Sequence, residues 1–111
     1  MPASSSPASS SGAGPGRPGA LGRFRICDFT GQLAGAGATK WLAAFGAEVI
    51  RIEDPVTQGL WDILRPMPPF VDERRGPDFG GGFNNHNTEK YGITLNLRTE
   101  RARELLVEIV K

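Results

Sequence analysis

The stretch FRICDFTGQLAGAGATKWLAAFGAEVIRIE, residues 24–53, carries the hydrophobic pattern that decides the fold. Its first part, FRICDF at 24–29, is short, rich in apolar and aromatic residues and followed by Thr30 and Gly31. This pattern predicts a buried strand that ends in a turn. Its last part, EVIRIE at 48–53, is dense in β-branched residues and predicts a second strand.

Helical spacing fills the interval between these two strands. Apolar residues recur at i, i+4, i+7, i+8 and i+11, the spacing of one face of an α-helix: Ala34, Ala38, Trp41, Leu42 and Phe45. Gly46 follows at the position where a left-handed C-cap is expected. A strand, a helix and a strand within about thirty residues form a βαβ unit, which is right-handed and parallel in nearly all cases. The predicted fold class is therefore α/β.

The segments on either side of this unit have different patterns. Residues 1–20 are almost wholly Ser, Pro, Gly and Ala, with too little apolar surface to offset the entropy of ordering, so we predict a disordered tail. Residues 54–91 sustain neither period, although 58–64 could form a turn or two of helix. A long irregular segment of this kind is more often functional, or part of an interface, than a passive connector.

Regular structure is predicted again from residue 92 onward. GITLNL at 92–97 predicts a third strand, and Thr99 is a suitable N-cap for a following helix. The apolar stripe of that helix is Ala102, Leu105, Leu106, Ile109 and Val110. This apolar pattern continues up to Lys111, and no Gly or Pro follows to end the helix. We therefore expect residues 21–111 to be a truncated domain.

Composition argues against several classes of function. Thirteen Lys and Arg against twelve Asp and Glu give a net charge of +1, with no charge run that would indicate nucleic acid or a membrane surface as a partner. No apolar stretch approaches the ~20 residues of a membrane span. The lone cysteine, Cys27, favours a reducing compartment, and we expect a cytoplasmic protein. His86 is the single histidine and has no neighbour at ligand spacing, so no metal site is expected.

Candidate binding residues lie at the ends of the predicted strands. The turn TGQLAGAG, residues 30–37, would present N–H groups to phosphate oxygens, but its glycine spacing also fits simple close packing of the helix on the sheet. Asp28 could contact a ligand or cap this turn. Glu53 and Asp54 stand where a dinucleotide-binding protein holds a ribose hydroxyl, which keeps an NAD-binding Rossmann enzyme open. Lys90 is a reasonable phosphate partner, or an ordinary surface lysine.

Two gapless blocks resemble the start of a known enzyme family. Residues 26–55 (ICDFTGQLAGAGATKWLAAFGAEVIRIEDP) resemble the opening of family III CoA-transferases, the carnitine and formyl-CoA transferase type. In that family a strand ending in D-[LF]-[TS] precedes an A-G turn and the pattern L-[AG]-x-[LF]-G-A-x-V-I-K-[IV]-E. Residues 85–106 (NHNTEKYGITLNLRTERARELL) are similar to its N-x-x-K-x-S-x-x-L-[DN]-L-[KR]-[TS] block. The resemblance extends over about residues 24–111.

This resemblance implies a fold, an activity and a set of ligand contacts. The fold would be the Rossmann-like start of a large domain in an interlocked homodimer, which would give Trp61, Phe70 and Phe83 a core to enter. The activity would be transfer of coenzyme A between an acyl-CoA and a carboxylic acid. The coenzyme A contacts carry over to Leu33, Ala34, Asn87 and Lys90. The catalytic aspartate, which forms an aspartyl-CoA thioester, would lie beyond residue 111, so this segment alone is expected to be inactive.

The resemblance leaves a second enzyme class open, a binding or assembly module without chemistry also fits this segment, and the sequence departs from the family pattern at several positions. A 2-methylacyl-CoA racemase of the same family would also bind coenzyme A but would move a proton instead. The departures are Ala36 in place of Pro, Asp54 in place of a basic residue, and Tyr91 and Gly92 in place of Arg and Ser. The missing basic groups would otherwise contact the adenine-side phosphates, and we hypothesise that Arg51 or Arg65 compensates.

Overall fold

The computed structural model describes residues 17–111, so most of the predicted tail lies outside the described residues. Residues 17–22 form a turn in which the Arg17 N–H donates to the Gly22 carbonyl (3.0 Å). The Leu21 N–H donates to the Phe45 carbonyl (3.0 Å). This turn is therefore fastened to the end of the first helix.

Among residues 17–111, three parallel strands form one sheet in the order β1-β2-β3. They are β1 (Arg25–Asp28), β2 (Glu48–Glu53) and β3 (Lys90–Thr94). In the register, Asp28 lies opposite Arg51, and Val49 lies opposite Lys90. The α/β prediction is confirmed, and β2 has the predicted bounds. β3 starts two residues earlier than predicted, because pairing with β2 already begins at Lys90.

Within the described part of the chain, three α-helices accompany the sheet: α1 (Leu33–Ala44), α2 (Gly81–His86) and α3 (Glu100–Val110). α1 ends as predicted, with Gly46 at a φ of 110°. Thr99 caps α3, since its hydroxyl accepts a hydrogen bond from the Ala102 N–H (3.3 Å). None of the helices within residues 17–111 has the length and apolar character that a membrane crossing requires.

The segment between β2 and β3 differs in part from its prediction. Residues 58–64 form turns and no helix, whereas α2 and a short 3-10 turn at Val71–Glu73 are additional elements. α2 is only six residues long and begins with two glycines. A helix of this length carries no apolar period, so the sequence pattern did not reveal it.

The apolar face predicted for α1 does not face the sheet, contrary to the usual orientation of such a face. α1 buries Ala36, Thr39 and Ala43. In contrast, Trp41 is 61% and Phe45 is 59% exposed. The small side chains let the helix axis approach the sheet closely, and Ala43 packs into a cluster with Ala47 and Val49. The large apolar residues of α1 therefore point outward.

The sheet face under α1 is apolar at one end and polar at the other. Side chains alternate across a strand, so the register places Ile26 and Val49 on the same face as Asp28, Arg51 and Lys90. Ile26 packs against the cluster that contains Ala43 and Val49. The polar end of this face meets the middle of α1, where Thr39 donates to Asp28.

We expect Gly46→Ala to lower the melting temperature of the natural polypeptide that carries this sequence. The new Cβ would sit at a φ of 110° and within 2.5 Å of the Pro18 carbonyl oxygen. Backbone strain of this kind costs about 1–3 kcal/mol. Gly92→Ala is the matched control, because a Cβ there meets no atom within 4 Å. Equal melting temperatures for the two variants would contradict this role of Gly46.

Candidate functional site

The candidate site lies where β1 ends and α1 begins. Ligands of open parallel sheets bind outside the carboxyl ends of the strands. Gln32 is the N-cap of α1, and among the described residues its side chain makes no capping hydrogen bond. Since the first N–H groups of a helix have no partner within the helix, those of Leu33 and Ala34 can bind an anion. Both residues are exposed.

Asp28 holds the turn between β1 and α1 from the inside. Its side chain is fully buried. One carboxylate oxygen accepts a hydrogen bond from the Thr30 N–H (2.8 Å), and the other accepts one from the Thr39 hydroxyl (2.7 Å). Of the two roles considered for Asp28 in the sequence, the structure shows the turn-capping one.

Lys90 carries its ammonium group into the protein interior, where its side chain is 1% exposed. The ammonium donates to Asp28 Oδ2 (3.0 Å), to the Ala36 carbonyl (3.0 Å) and to Asn87 Oδ1 (2.9 Å). An ammonium group has three hydrogens, and each has an acceptor here. Lys90 therefore ties the start of β3 to the first turn of α1.

Burial and hydrogen bonding shift the pKa values of this ion pair. Burial raises the pKa of Asp28, but the hydrogen bonds from Thr30, Thr39 and Lys90 outweigh it, so the net pKa lies below its ordinary value. Burial lowers the pKa of Lys90, because desolvation of the ammonium outweighs its attraction to Asp28. Lys90 therefore loses its proton at a lower pH than a surface lysine does.

Arg51 connects this site to the irregular segment. Its side chain is 2% exposed, and it forms an ion pair with Asp62, which is 0% exposed. A second nitrogen, Nη1, donates to the Thr30 carbonyl (2.7 Å) and to Asn87 Oδ1 (3.2 Å). One guanidinium therefore joins β2 to the turn before α1, to the irregular segment and to the loop before β3.

Aromatic rings from the irregular segment cover the arginines. The centroids of Trp61 and Phe83 lie 5.6 and 5.2 Å from the Arg51 guanidinium carbon. Arg65 lies 3.8 Å from the Phe83 centroid and pairs with Glu53 (2.6 Å). These rings thus have partners inside the chain. Both guanidinium groups are largely buried and paired with carboxylates, which argues against the hypothesis that they compensate as phosphate contacts.

A cavity of about 310 Å³ opens at the carboxyl ends of β2 and β3. Its lining is mixed, with five apolar residues (Phe29, Ile52, Trp61, Leu95 and Leu97) and four polar or charged ones (Glu53, Asp54, Asn96 and Arg98). Phe29 follows Asp28 directly, so the cavity borders the same turn as the α1 N-terminus. The volume is within the range of small-molecule sites.

The sequence patterns did not single out two residues of the site, Thr39 and Asp62. The burial of Thr39 could have been predicted from the sequence. Thr39 lies three residues after Ala36 and four before Ala43, which is the spacing of a helix face made of small residues. Asp62 had no such signal, because its partner Arg51 comes from another element. Within residues 17–111 no group of three or more His, Cys, Asp or Glu side chains is placed to hold a metal ion.

We expect Arg51→Met to destabilise the natural polypeptide by about 3–5 kcal/mol, because it leaves the buried Asp62 carboxylate without a cation. Arg25→Met is the matched control. Arg25 also pairs with a carboxylate, that of Glu48, but its side chain is 56% exposed, and such pairs contribute about 0–1 kcal/mol. Urea unfolding of both variants measures the difference. Equal losses would show that burial of Arg51 does not matter.

We expect Thr39→Val to be most destabilising near neutral pH, by about 1.5–3 kcal/mol, because it removes a hydrogen bond to the charged Asp28 carboxylate. The lowered pKa of Asp28 contributes stability above its unfolded-state pKa, and this contribution is lost as pH falls through the folded-state pKa. The deficit of the variant should therefore shrink below about pH 4. Thr39→Ser keeps the hydroxyl as the control. Unfolding midpoints at pH 7 and pH 3 that show a constant deficit would refute this.

The sequence and the fold both match known proteins. The family model of CoA-transferase family III matches residues 21–111. The succinyl-CoA:mesaconate CoA-transferase of Haloarcula marismortui is 38% identical over 93 residues, which are 84% of this chain and 22% of the relative. The formyl-CoA:oxalate CoA-transferase of Streptomyces avermitilis is 36% identical over 92 residues, 83% of this chain and 20% of the relative.

Solved structures agree with these matches. A CAIB/BAIF family protein from Brucella suis superposes with a TM-score of 0.63 and 30% identity, over 79% of this chain and 22% of the other. A hypothetical protein from Mycobacterium tuberculosis gives a TM-score of 0.63 and 28% identity, over 83% of this chain and 23% of the other. The chain spans about a fifth of the length of these curated relatives. Since the family model covers the described residues from 21 to the last one, the chain belongs to CoA-transferase family III.

Proposed function

We propose that this chain is the coenzyme A-binding amino-terminal part of an acyl-CoA:carboxylate CoA-transferase. Its membership of CoA-transferase family III is the observation that carries the proposal. The curated relatives are named for CoA exchange between succinate and mesaconate and between formate and oxalate. The substrates of this protein would thus be an acyl-CoA and a carboxylic acid.

The geometry of the candidate site supports a contact with the phosphates of coenzyme A. The N–H groups of Leu33 and Ala34 lie at the positive end of the α1 dipole, where an anion is stabilised. Lys90 bonds the Ala36 carbonyl (3.0 Å) and Asn87 (2.9 Å), which brings the loop of Asn87 and Lys90 beside the same turn. Coenzyme A would therefore contact Leu33, Ala34, Asn87 and Lys90.

The neighbouring cavity offers space for the less polar part of the same ligand. It borders Phe29, and its volume of about 310 Å³ suits a flexible chain such as the pantetheine arm. Its mixed lining of apolar residues and hydrogen-bonding groups fits an arm that carries both methylene and amide groups.

The covalent step would use an aspartate outside residues 1–111. That aspartate carboxylate would attack the acyl-CoA carbonyl to give a mixed anhydride and free CoA thiolate. The thiolate would then attack the aspartyl carbonyl of the anhydride, which forms an aspartyl-CoA thioester and releases the acyl group as a free carboxylate. Splitting the exchange into such steps retains the thioester energy. Asp28 is a poor candidate for this nucleophile, because its buried carboxylate accepts hydrogen bonds from Thr30, Thr39 and Lys90. The described residues would bind and orient the ligand.

We also propose that the protein acts as an interlocked homodimer in the cytoplasm. The family resemblance supports the dimer, and the outward-facing Trp41 and Phe45 provide apolar surface for further protein to cover. The lone cysteine is compatible with a reducing compartment.

We expect Leu33→Pro to weaken coenzyme A binding by the natural polypeptide about tenfold or more, the size of a lost hydrogen bond to a charged group. Proline is favoured at the first position of a helix, and the extended Gln32 (φ −139°, ψ 172°) accepts a following proline. The substitution thus removes one N–H group with little strain. Leu33→Ala keeps that N–H and is the control. Titration calorimetry measures both.

Equal affinities for the two variants would argue against the phosphate contact at Leu33. Competition by NAD in place of coenzyme A would favour the dinucleotide alternative. Hydroxylamine trapping of the natural polypeptide in the presence of an acyl-CoA separates transferase from racemase. Only an activated aspartate of the protein yields a protein-bound hydroxamate, whereas the free acyl-CoA yields a small-molecule hydroxamate with either enzyme, so the product is sought on the polypeptide by mass spectrometry.

A further inference from the structure

The side chains of Asp28, Lys90, Asn87 and Arg51 form one continuous chain of hydrogen bonds. Lys90 joins Asp28 (3.0 Å) to Asn87 (2.9 Å), and Asn87 in turn accepts from Arg51 (3.2 Å). The side chains of Asp28, Lys90 and Arg51 are at most 2% exposed. The chain of bonds runs from the end of β1 to the middle of β2 beneath the turn that begins α1.

These hydrogen bonds use nearly all the bonding capacity of the Lys90 and Asn87 side chains. The three ammonium hydrogens of Lys90 meet Asp28, Asn87 and the Ala36 carbonyl. Asn87 Oδ1 accepts from Lys90 and Arg51, and its Nδ2 donates to the Phe83 carbonyl (2.9 Å). A carboxamide oxygen has two lone pairs and the NH₂ has two hydrogens. Among the described residues, the second N–H of Asn87 has no hydrogen-bond partner.

The loop between these two residues has a strained backbone. Glu89 precedes Lys90 directly and has a φ of 65°. A residue other than glycine pays a free-energy cost in this left-handed region and stays there only where its surroundings fix it. The hydrogen bonds of Asn87 and Lys90 fix the loop on both sides of Glu89.

We infer that Lys90 and Asn87 are positioning residues, whose side chains hold their loop against the first turn of α1. Coenzyme A then meets the loop backbone and the remaining N–H of Asn87, while the Lys90 ammonium stays on Asp28. This inference rests on the proposed function and deepens it. If the ammonium moved to a phosphate, the buried Asp28 carboxylate would lose its cation, and leaving a buried charge unpaired is strongly unfavourable.

The first test measures the reactivity of Lys90 in the unaltered natural polypeptide. Acetic anhydride labelling followed by mass spectrometry should modify Lys90 at least about tenfold more slowly than Lys111. The Lys90 side chain is 1% exposed, so the reagent cannot reach the nitrogen while it is held by its three acceptors, even though its pKa is lowered. Lys111 is the internal control, since its side chain is 64% exposed. Rapid labelling of Lys90 that coenzyme A suppresses would overturn the inference, because it would show a free ammonium that the ligand covers.

The second test uses the double variant Asp28→Asn, Lys90→Met, which removes both charges together and leaves the net charge unchanged. Its fold is checked by circular dichroism before binding is measured. We expect affinity for coenzyme A to fall about tenfold, which corresponds to the loss of one well-placed charge-assisted hydrogen bond. The salt dependence of binding should stay the same. A direct ammonium–phosphate contact would instead flatten that salt dependence.

The outcomes distinguish the two proposals. If the unaltered polypeptide does not bind coenzyme A, the proposed function fails. If it binds and the folded double variant retains the full affinity, the positioning role of Lys90 fails while the proposed function stands. If the double variant does not fold, the labelling rates of Lys90 and Lys111 decide the matter.

Discussion

The buried guanidinium of Arg51 is the interaction on which the carboxyl end of the sheet depends. Removing such a group from water is costly unless carboxylates and carbonyls replace the lost hydration. Its acceptors are the turn at Thr30, Asp62 in the irregular segment and Asn87 in the loop before β3. Each of these backbones is therefore held in place relative to β2, although none of them belongs to a long helix or strand.

This arrangement accounts for a turn between β1 and α1 that is held in place by hydrogen bonds to buried side chains. Asp28 and Lys90 satisfy the interior of the turn, and Arg51 holds its outer carbonyl. Within residues 17–111, the Gln32 side chain makes no capping hydrogen bond to the N-terminus that carries the N–H groups of Leu33 and Ala34. Donors fixed before a ligand arrives bind it with a smaller entropic cost. Burial of polar groups under α1 thus fixes the backbone of the proposed binding surface at its N-terminus.

The sequence predicted those parts of the structure that depend on local pattern. The bounds of β2, the C-terminal Gly46 of α1 and the Thr99 cap of α3 follow from residue type and spacing alone. The buried side of α1 could not be predicted in this way. Periodicity locates the stripe of large apolar residues, whereas the side that packs closely against the sheet carries the small residues Ala36 and Ala43. The partnership of Arg51 with Asp62 also could not be predicted, since it depends on how the irregular segment folds back over the sheet.

The N-x-x-K pattern at Asn87 and Lys90 shows how a family motif can arise from two different constraints. A motif that accompanies a ligand is readily interpreted as a set of ligand contacts. Here the polar atoms of both side chains are directed mainly at Asp28, Arg51 and main-chain oxygens. A buried, strained loop requires a fixed set of internal hydrogen bonds as strictly as a phosphate requires donors. The pattern therefore identifies the family through the architecture of the turn, and the N–H groups that this architecture exposes would recognise the ligand.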